Sequence, residues 1–271
     1  MDGDILAYRA ALSAEAPINW GEGFWTLHAW ETDVETRIIN YHHRLLEKLD
    51  ATEAIYCLTS DDNWRKDVLP SYKSNRADVR KPMLLPFAKD YLLDNYDTYL
   101  RSGLEGDDCL GILATHPKLY KGRSIIVSLD KDMATIPGRY FNDDKPDQGI
   151  QEISEEEADF WHLVQALSGD PTDGYAGCPG IGSGKAKEML ANPRRIEQVT
   201  EEIKSGKNKG KERTQWKDVG PADSLWEALV CQYRKAGLDE RDALQQARVA
   251  RILRAEDYDF KRKEPILWNP S

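Results

Sequence analysis

Acidic residues stand in tight groups along this chain, and each group falls where an apolar run ends or a loop begins. The groups are Asp2 with Asp4, Asp61 with Asp62, Glu105 with Asp107 and Asp108, Asp130 with Asp132, and Asp170 with Asp173. Carboxylates drawn together repel one another, and burial raises the cost. A fold that gathers them needs a positive counterpart, and hard oxygen donors favour magnesium or manganese ions. Strand ends that bring such carboxylates to one crevice can provide a site for these ions.

The apolar pattern supplies such strands. Residues 30–49 repeat Val34, Ile38, Tyr41, Leu45 and Leu49 at helical spacing. The short apolar run 54–58 predicts a buried strand. Residues 61–81 are polar, basic and aromatic, broken by Pro70 and flanked by Pro82, and predict a loop or a short helical excursion. Residues 84–93 read as a helix, 96–100 as a strand, 106–114 as a helix and 124–129 as the cleanest strand. This alternation argues for a mainly parallel α/β sheet flanked by helices. Sites in such sheets lie beyond the carboxyl ends of strands. Asp61, Glu105 and Asp130 each follow one.

The pattern changes near residue 151. Ser154 precedes Glu155, Glu156 and Glu157, a favourable helix start. Further helices are predicted over 185–190, 224–236 and 240–254, so the second part reads as helical. The expected division is an α/β domain over 1–150 and a helical domain over 151–271. Residues 205–211 (SGKNKGK) read as a flexible basic loop that orders on DNA.

Of the 271 residues, 40% are hydrophobic and 31% charged, which describes a soluble globular protein. No apolar stretch approaches the length of about 18 residues that spans a membrane, and no leader is read. The four cysteines lie far apart and form no CxxC, so reduced thiols in a cytoplasmic protein are expected. The five histidines show no metal-binding spacing, and no serine or cysteine nucleophile is marked by its context. Net charge is −10, which taken alone disfavours nucleic acid. The cations nevertheless concentrate in tracts: Arg65 to Lys81, Lys204 to Lys217, and Arg248 to Lys263. A solvated face is the plain alternative for each tract.

Individual motifs carry chemistry of varying specificity. Glu105 and Asp108 lie one helical turn apart and can face one site, or can simply decorate a helix start. Asp130-Lys-Asp132 can aim two carboxylates into a crevice, or can be a surface turn. Asp170-Pro-Thr-Asp173 leads to the glycine-rich run 177–184, which opens a helix at Lys185. Backbone N–H groups at such a turn cradle phosphate. The run is not a Walker A loop, and a plain helix–helix turn is the alternative. Tyr72, Lys73 and Arg76 place an aromatic ring and two cations in one tract, suited to a base and a phosphate.

In this order, MDGD, YKSNR, EGDD, SLDKDM, GDPTDG and GCPGIGSGKA resemble the motifs of the flap endonuclease/5′-exonuclease family. The resemblance spans almost the whole chain. NWRK, SGKNKG, ARILR and the closing LW make it nearest to the 5′-exonucleases of short-tailed phages. It implies that the 1–150 domain is a PIN-like catalytic domain with an arch segment at about 61–82, and that the 151–271 domain binds DNA through a helix-three-turn-helix motif that grips the duplex. It also implies metal-dependent 5′-to-3′ hydrolysis of phosphodiester bonds by a two-metal mechanism with Mg²⁺ or Mn²⁺, and a K⁺ ion at the duplex grip. Asp2, Asp61, Glu105 and Asp107 match the first metal group. Asp108, Asp130, Asp132, Asp170 and Asp173 match the remaining acidic positions. Lys73 and Arg76 match the cations on the scissile phosphate, and Tyr72 lies near the unpaired nucleotide. Arg65, Lys66, Gly180, Ile181, Gly182, Gly184 and Lys185 are the further expected DNA contacts.

Expected substrates are duplex DNA with 5′ ends or flaps and RNA–DNA hybrids. The expected setting is phage replication, recombination and host DNA degradation in the host cytoplasm. The chain departs from the family at three places. Only Met1 precedes Asp2, so Asp2 is expected to be poorly held or the native start to lie upstream. One extra residue lies between Gly182 and Lys185. Ser60, Asp61 and Asp62 can each fill the second acidic column, of which Asp61 is preferred. A catalytically impaired DNA-end-binding protein and a toxin-like RNase are the rival readings.

Overall fold

The computed structural model describes residues 1–76, 79–120, 122–205 and 207–270. In chain order it begins with α1 (Gly3–Ala14), β1 (Ala16–Gly21), β2 (Phe24–His28), α2 (Glu31–Leu49) and β3 (Tyr56–Cys57). The one-turn helix α3 (Arg65–Val68), α4 (Leu85–Asn95), β4 (Thr98–Tyr99), α5 (Gly106–Thr115) and β5 (Ile126–Val127) follow. Next come β6 (Gly138–Phe141), β7 (Ile150–Ile153), α6 (Glu155–Ser168) and α7 (Ser183–Ala191). Then come β8 (Arg194–Glu202), β9 (Glu212–Pro221), α8 (Leu225–Lys235) and α9 (Glu240–Ala250). Two short strands, β10 (Tyr258–Asp259) and β11 (Glu264–Pro265), come last.

The chain divides into two compact units. One comprises Met1–Trp64, Arg76–Glu155 and Ile252–Ile266; the other comprises Arg65–Asn75, Glu156–Arg251 and Leu267–Ser271. Neither unit is contiguous in sequence.

The first unit is built on a mainly parallel sheet. β3 pairs parallel with β4, and β5 pairs parallel with β6. β7 adds antiparallel to β6. Met1 and Asp2 join the two halves. Asp2 bridges Cys57 in parallel sense, the Cys57 N–H donates to Met1 O at 2.8 Å, and the Asp2 N–H donates to Val127 O at 3.0 Å. Two residues thus occupy a central strand position. The alanine-rich face of α1 (Ala7, Ala10, Ala11) packs with Val34 and Ile38 of α2, Tyr56 and Leu58, and Ala88 and Leu92 of α4. These small side chains allow close helix approach.

The second unit gathers Leu163, Val164 and Leu167 of α6 with Ala186 and Leu190 of α7, Leu229 and Tyr233 of α8, and Ala243 and Ala247 of α9. Trp268 packs against this core, which gives the closing LW pair a structural role. Among the described residues no helix is long and apolar enough to cross a membrane.

One hairpin corrects the sequence-based expectation, and a second lies where no element was expected. The second unit is not wholly helical: β8 and β9 form an antiparallel ribbon from Arg194↔Pro221 to Glu202↔Glu212. Its strands are polar on both faces, so hydrophobic periodicity gives no signal. β1 and β2 form another, turning at Glu22 and Gly23, both with positive φ. That is the backbone a two-residue I′ turn requires, and Gly-Glu-Gly was its available signal. The helix expected over 240–254 ends at Ala250, where the Arg251 N–H caps it on Ala247 O.

Candidate active site

In the first unit, Asp2 stands at the centre of the sheet's carboxyl edge. It caps α1, its Oδ1 accepting the Ile5 N–H at 2.9 Å, while its Oδ2 accepts the Ser128 hydroxyl at 2.8 Å. With the two backbone bonds to β3 and β5, this corrects the expectation that Asp2 is poorly held. Burial pushes its carboxyl up to about 6, and the charge of Asp4 adds to the rise. The bonds from Ile5 N–H and Ser128 oppose the rise, but burial outweighs them.

Asp4 reaches the same edge. It accepts the Thr59 N–H at 2.8 Å and pairs with Lys89 at 2.5 Å. Thr59 Oγ1 in turn accepts the N–H of Gly106, at the start of α5. A Cβ on Gly106 would lie 2.8 Å from Asp4 Oδ2, so glycine is required for this approach. The EGDD turn is thereby fastened beside the end of β3, with Glu105 and Asp107 at the helix start. Asp4 was visible in MDGD, but the sequence pattern gave it no role distinct from Asp2.

Asp108 does not fit the role expected of it. It is fully buried. Its Oδ2 accepts the Trp64 indole N–H at 3.0 Å and the Glu105 N–H at 3.2 Å, and its Oδ1 accepts the Leu253 N–H at 3.1 Å. Three donors fix both oxygens, so this carboxylate organises the helix start and does not face a crevice. Asp108 also closes a capping box with Glu105.

Asp130 caps the 3-10 turn Lys131–Thr135, its Oδ1 accepting the Asp132 N–H at 2.8 Å. The Asp130 N–H donates to the Ser128 hydroxyl, the same hydroxyl that serves Asp2. The DKD group is therefore tied to Asp2 through Ser128, a residue the sequence pattern did not single out. Asp61 and Asp62 lie exposed beyond β3, with Ser60 folding back on Asp62 and accepting the Gly103 N–H. Arg76 is exposed in a 3-10 turn.

Among the described residues, no three carboxylate, histidine or cysteine groups stand close enough to form a ready-made metal cage. The donor chemistry still fits a hard divalent ion. Buried Asp2 is raised in pKa, with Asp4 contributing to the rise, and such an ion would relieve both. Magnesium usually keeps several of its waters, so it does not need a complete protein cage.

In the second unit, the loop after α6 holds Tyr72, Lys73 and Asn75 of the YKSNR tract. The Lys73 N–H donates to Asp173 O at 2.8 Å, and Lys73 Nζ lies 3.6 Å from Asp173 Oδ2. Lys73 adopts positive φ (55°), a conformation unusual for lysine. Asn75 donates to Pro171 O and Thr172 O. Asp170 closes the loop by exchanging backbone bonds with Tyr175 and by accepting the Thr172 N–H on its side chain. Tyr72 is buried, its hydroxyl on Asp173, so in this conformation it offers no face to a base.

Arg65 is likewise corrected as a DNA contact. It is 2% exposed, and its guanidinium donates to Val249 O at 2.9 Å and Arg251 O at 2.7 Å. Lys66, on the other side of the single turn α3, is exposed. In the glycine run, Gly169 and Gly177 pack backbone to backbone: a Cβ on Gly177 would sit 2.2 Å from Gly169 N. Gly180, Gly182 and Gly184 face open space, and Lys185 is exposed at the first turn of α7. Ile181 between them is buried and anchors the turn.

Residues 1–152 match the family described as "5'-3' exonuclease, N-terminal resolvase-like domain". The chain is 37% identical over 279 residues to the exonuclease of Escherichia phage T7, covering 100% of this chain and 92% of that protein. It is 36% identical over 280 residues to the exodeoxyribonuclease of Enterobacteria phage T3, with the same coverage of both proteins. Among solved structures it is similar to the T5 D15 protein co-crystallized with metal ions. That match has a TM-score of 0.51 and 19% identity, covering 71% of this chain and 73% of that one. At that identity the likeness speaks for the fold alone.

Proposed function

The chain belongs to the 5′-3′ exonuclease family, and from that premise we propose that it hydrolyses phosphodiester bonds from the 5′ end of duplex DNA. Flapped DNA and RNA–DNA hybrids belong to the same proposed substrate class. What supports the reading is the bonding in the first unit that holds Asp2 on the Ser128 hydroxyl, Asp4 on the Thr59 N–H and Asp130 on the Asp132 N–H. Glu105 and Asp107, at the start of α5, are assigned to the same group. Asp61, beyond β3, is also assigned to it; Asp170 and Asp173 of the second unit are assigned metal-binding roles by resemblance.

These residues would hold Mg²⁺ or Mn²⁺, two ions in the mechanism we favour. Bound there, the metal would polarise the phosphoryl oxygens and acidify water. The protein's own part is positioning. Ser128 orients Asp2 and the DKD turn together. Lys73 and Arg76 supply positive charge for the phosphate as negative charge develops on it. The open backbone of Gly180, Gly182 and Gly184, with Lys185, binds duplex phosphates in the manner of a helix-three-turn-helix motif. A potassium ion there would use backbone carbonyl oxygens.

The test is digestion of a duplex labelled at one 5′ end, in Mg²⁺, Mn²⁺ and EDTA. Release of short labelled products only with metal supports the reading. Asp132→Asn is expected to abolish release while DNA binding persists. If the wild-type protein binds DNA ends and never releases product with either metal, the rival reading of a binding-only protein replaces this one.

A further inference from the structure

The β8–β9 ribbon has no part in the site described above, yet its tip is the most one-sided charge feature of the second unit. Residues 203–211 carry Lys204, Lys207, Lys209 and Lys211 and no acidic residue. All four lysines are exposed. The acids lie just outside the tip, at Glu201, Glu202 and Glu212, and Glu201 is taken by Lys217 at 2.5 Å. We propose that this tip is a second contact for the phosphate backbone of duplex nucleic acid. The choice of partner rests on the nuclease reading; the charge and shape of the tip do not.

The turn is built, not merely basic. The Ile203 N–H donates to Lys211 O at 2.8 Å, Gly210 N–H to Ile203 O at 3.0 Å, and Lys211 N–H to Asn208 O at 3.0 Å. Gly210 takes positive φ (86°) to close it. These bonds fix the two sides of the turn at Ile203, Asn208, Gly210 and Lys211, which lowers the ordering cost of binding. The loop expected over 205–211 includes Gly206, which lies outside the described residues.

The ribbon beneath is held in register by its ladder, by the Thr200–Thr214 side-chain bond and by the Arg194–Asp218 ion pair at its base. A strand of this length carries the tip about 30 Å from that base. Glu197, Gln198, Thr200, Glu201, Glu212, Arg213 and Thr214 are all exposed, so the outer ribbon contributes little to the core. It serves as a support for the tip.

The chemistry selects a duplex over a single strand. Sites for single strands add aromatic platforms on which bases stack. The tip has none: its side chains are lysine, serine, asparagine and Ile203. Lysines act on phosphates as point charges and carry no base code, so the contact is independent of sequence. A two-stranded ribbon is also narrow enough to follow a duplex groove.

The experiment compares wild type with K204Q/K207Q/K209Q/K211Q, and with the quadruple arginine variant, which keeps the charge. Binding to a long blunt duplex is measured in EDTA across a salt series, and 5′ release is measured in Mg²⁺. The glutamine variant is expected to bind about tenfold or more weakly and to lose about 0.9 from the salt slope for each phosphate contact removed. The arginine variant is expected to restore both. Unchanged slope and affinity in the glutamine variant, with wild type still releasing nucleotides, overturn the tip contact and leave the nuclease reading standing. A wild-type protein that releases nothing overturns the nuclease reading, while the slope comparison still decides the tip. An equal loss on a single strand of the same length overturns the duplex assignment.

Discussion

The Tyr72 hydroxyl donates to Asp173 Oδ2 at 2.9 Å, and that same oxygen lies 3.6 Å from Lys73 Nζ. One carboxylate thus fixes two neighbours in the YKSNR tract, while its main-chain oxygen holds the Lys73 N–H. Asp173→Asn keeps the shape and removes the charge. Losing one preorganised group that stabilises developing negative charge costs about 10²–10³ in kcat, and a Lys73 released from Asp173 would be such a loss. We expect a fall of that order with duplex affinity within a few-fold, read by single-turnover digestion beside a binding titration. Tyr72→Phe removes a hydrogen bond to a charged group and should cost about 1.5–3 kcal/mol of stability. If Asp173→Asn digests at the wild-type rate, Asp173 does not position Lys73 for the reaction.

Asp108 and Asp107 are neighbours with opposite expected phenotypes. Asp108→Ala strands the N–H groups of Trp64, Glu105 and Leu253 in the interior. Each orphaned buried donor costs about 1–3 kcal/mol, so the variant should lose at least about 3 kcal/mol. Asp107→Asn, at the partly exposed helix start, should leave the unfolding midpoint nearly unchanged and lower kcat. Urea unfolding and digestion on both variants check this. A stable, inactive Asp108→Ala would return Asp108 to the catalytic group.

The contrast shows what the sequence could carry. Spacing identified the strand ends and the acids that follow them, because alternation of apolar runs and helices fixes which end of a parallel strand is open. It could not separate Asp107 from Asp108, since both occupy a helix start and only the packed partners differ. Arg65 failed for a related reason. A basic tract reads as a surface, and the one-turn helix that sends Arg65 inward and Lys66 outward is too short to show periodicity. The two hairpins were hidden because exposed ribbons need no hydrophobic pattern. Ser128 was passed over because a hydroxyl that bridges two carboxylate groups looks like any other strand-end serine.

Arg65→Ala should behave as a folding variant. The guanidinium is buried and forks onto Val249 O and Arg251 O. Removing it leaves two carbonyls unmet and a cavity, and about 2–4 kcal/mol should be lost. Arg65→Lys should recover only part of this, since a single ammonium cannot reproduce the planar fork. The salt slope of duplex binding should not change in Arg65→Lys. A slope lower by about one would mean that Arg65 contacts a phosphate after all.

Asp2 makes the metal-free protein's stability depend on pH in a direction opposite to the usual carboxylate. Burial raises its folded pKa to about 6 from an ordinary 3.8, so the folded state holds the proton more tightly than the unfolded one. Stability from this group is therefore greatest below pH 3.8, falls as pH rises through about 6, and stays low above it. A shift of this size corresponds to about 3 kcal/mol. Asp2→Asn removes the titration and keeps an oxygen to cap α1 at Ile5. In EDTA, the variant's midpoint relative to wild type should be near zero at low pH and rise by several degrees by neutrality, at about 2–4 °C per kcal/mol. Taking the difference between the two proteins removes the opposing effect of carboxylates lowered by ion pairs, such as Asp143 and Asp144. Adding Mg²⁺ at neutral pH should raise the wild-type midpoint and close the gap, while the variant stays inactive. A difference that does not move with pH, or a gap that magnesium leaves open, would mean that Asp2 is neither strained by burial nor relieved by metal.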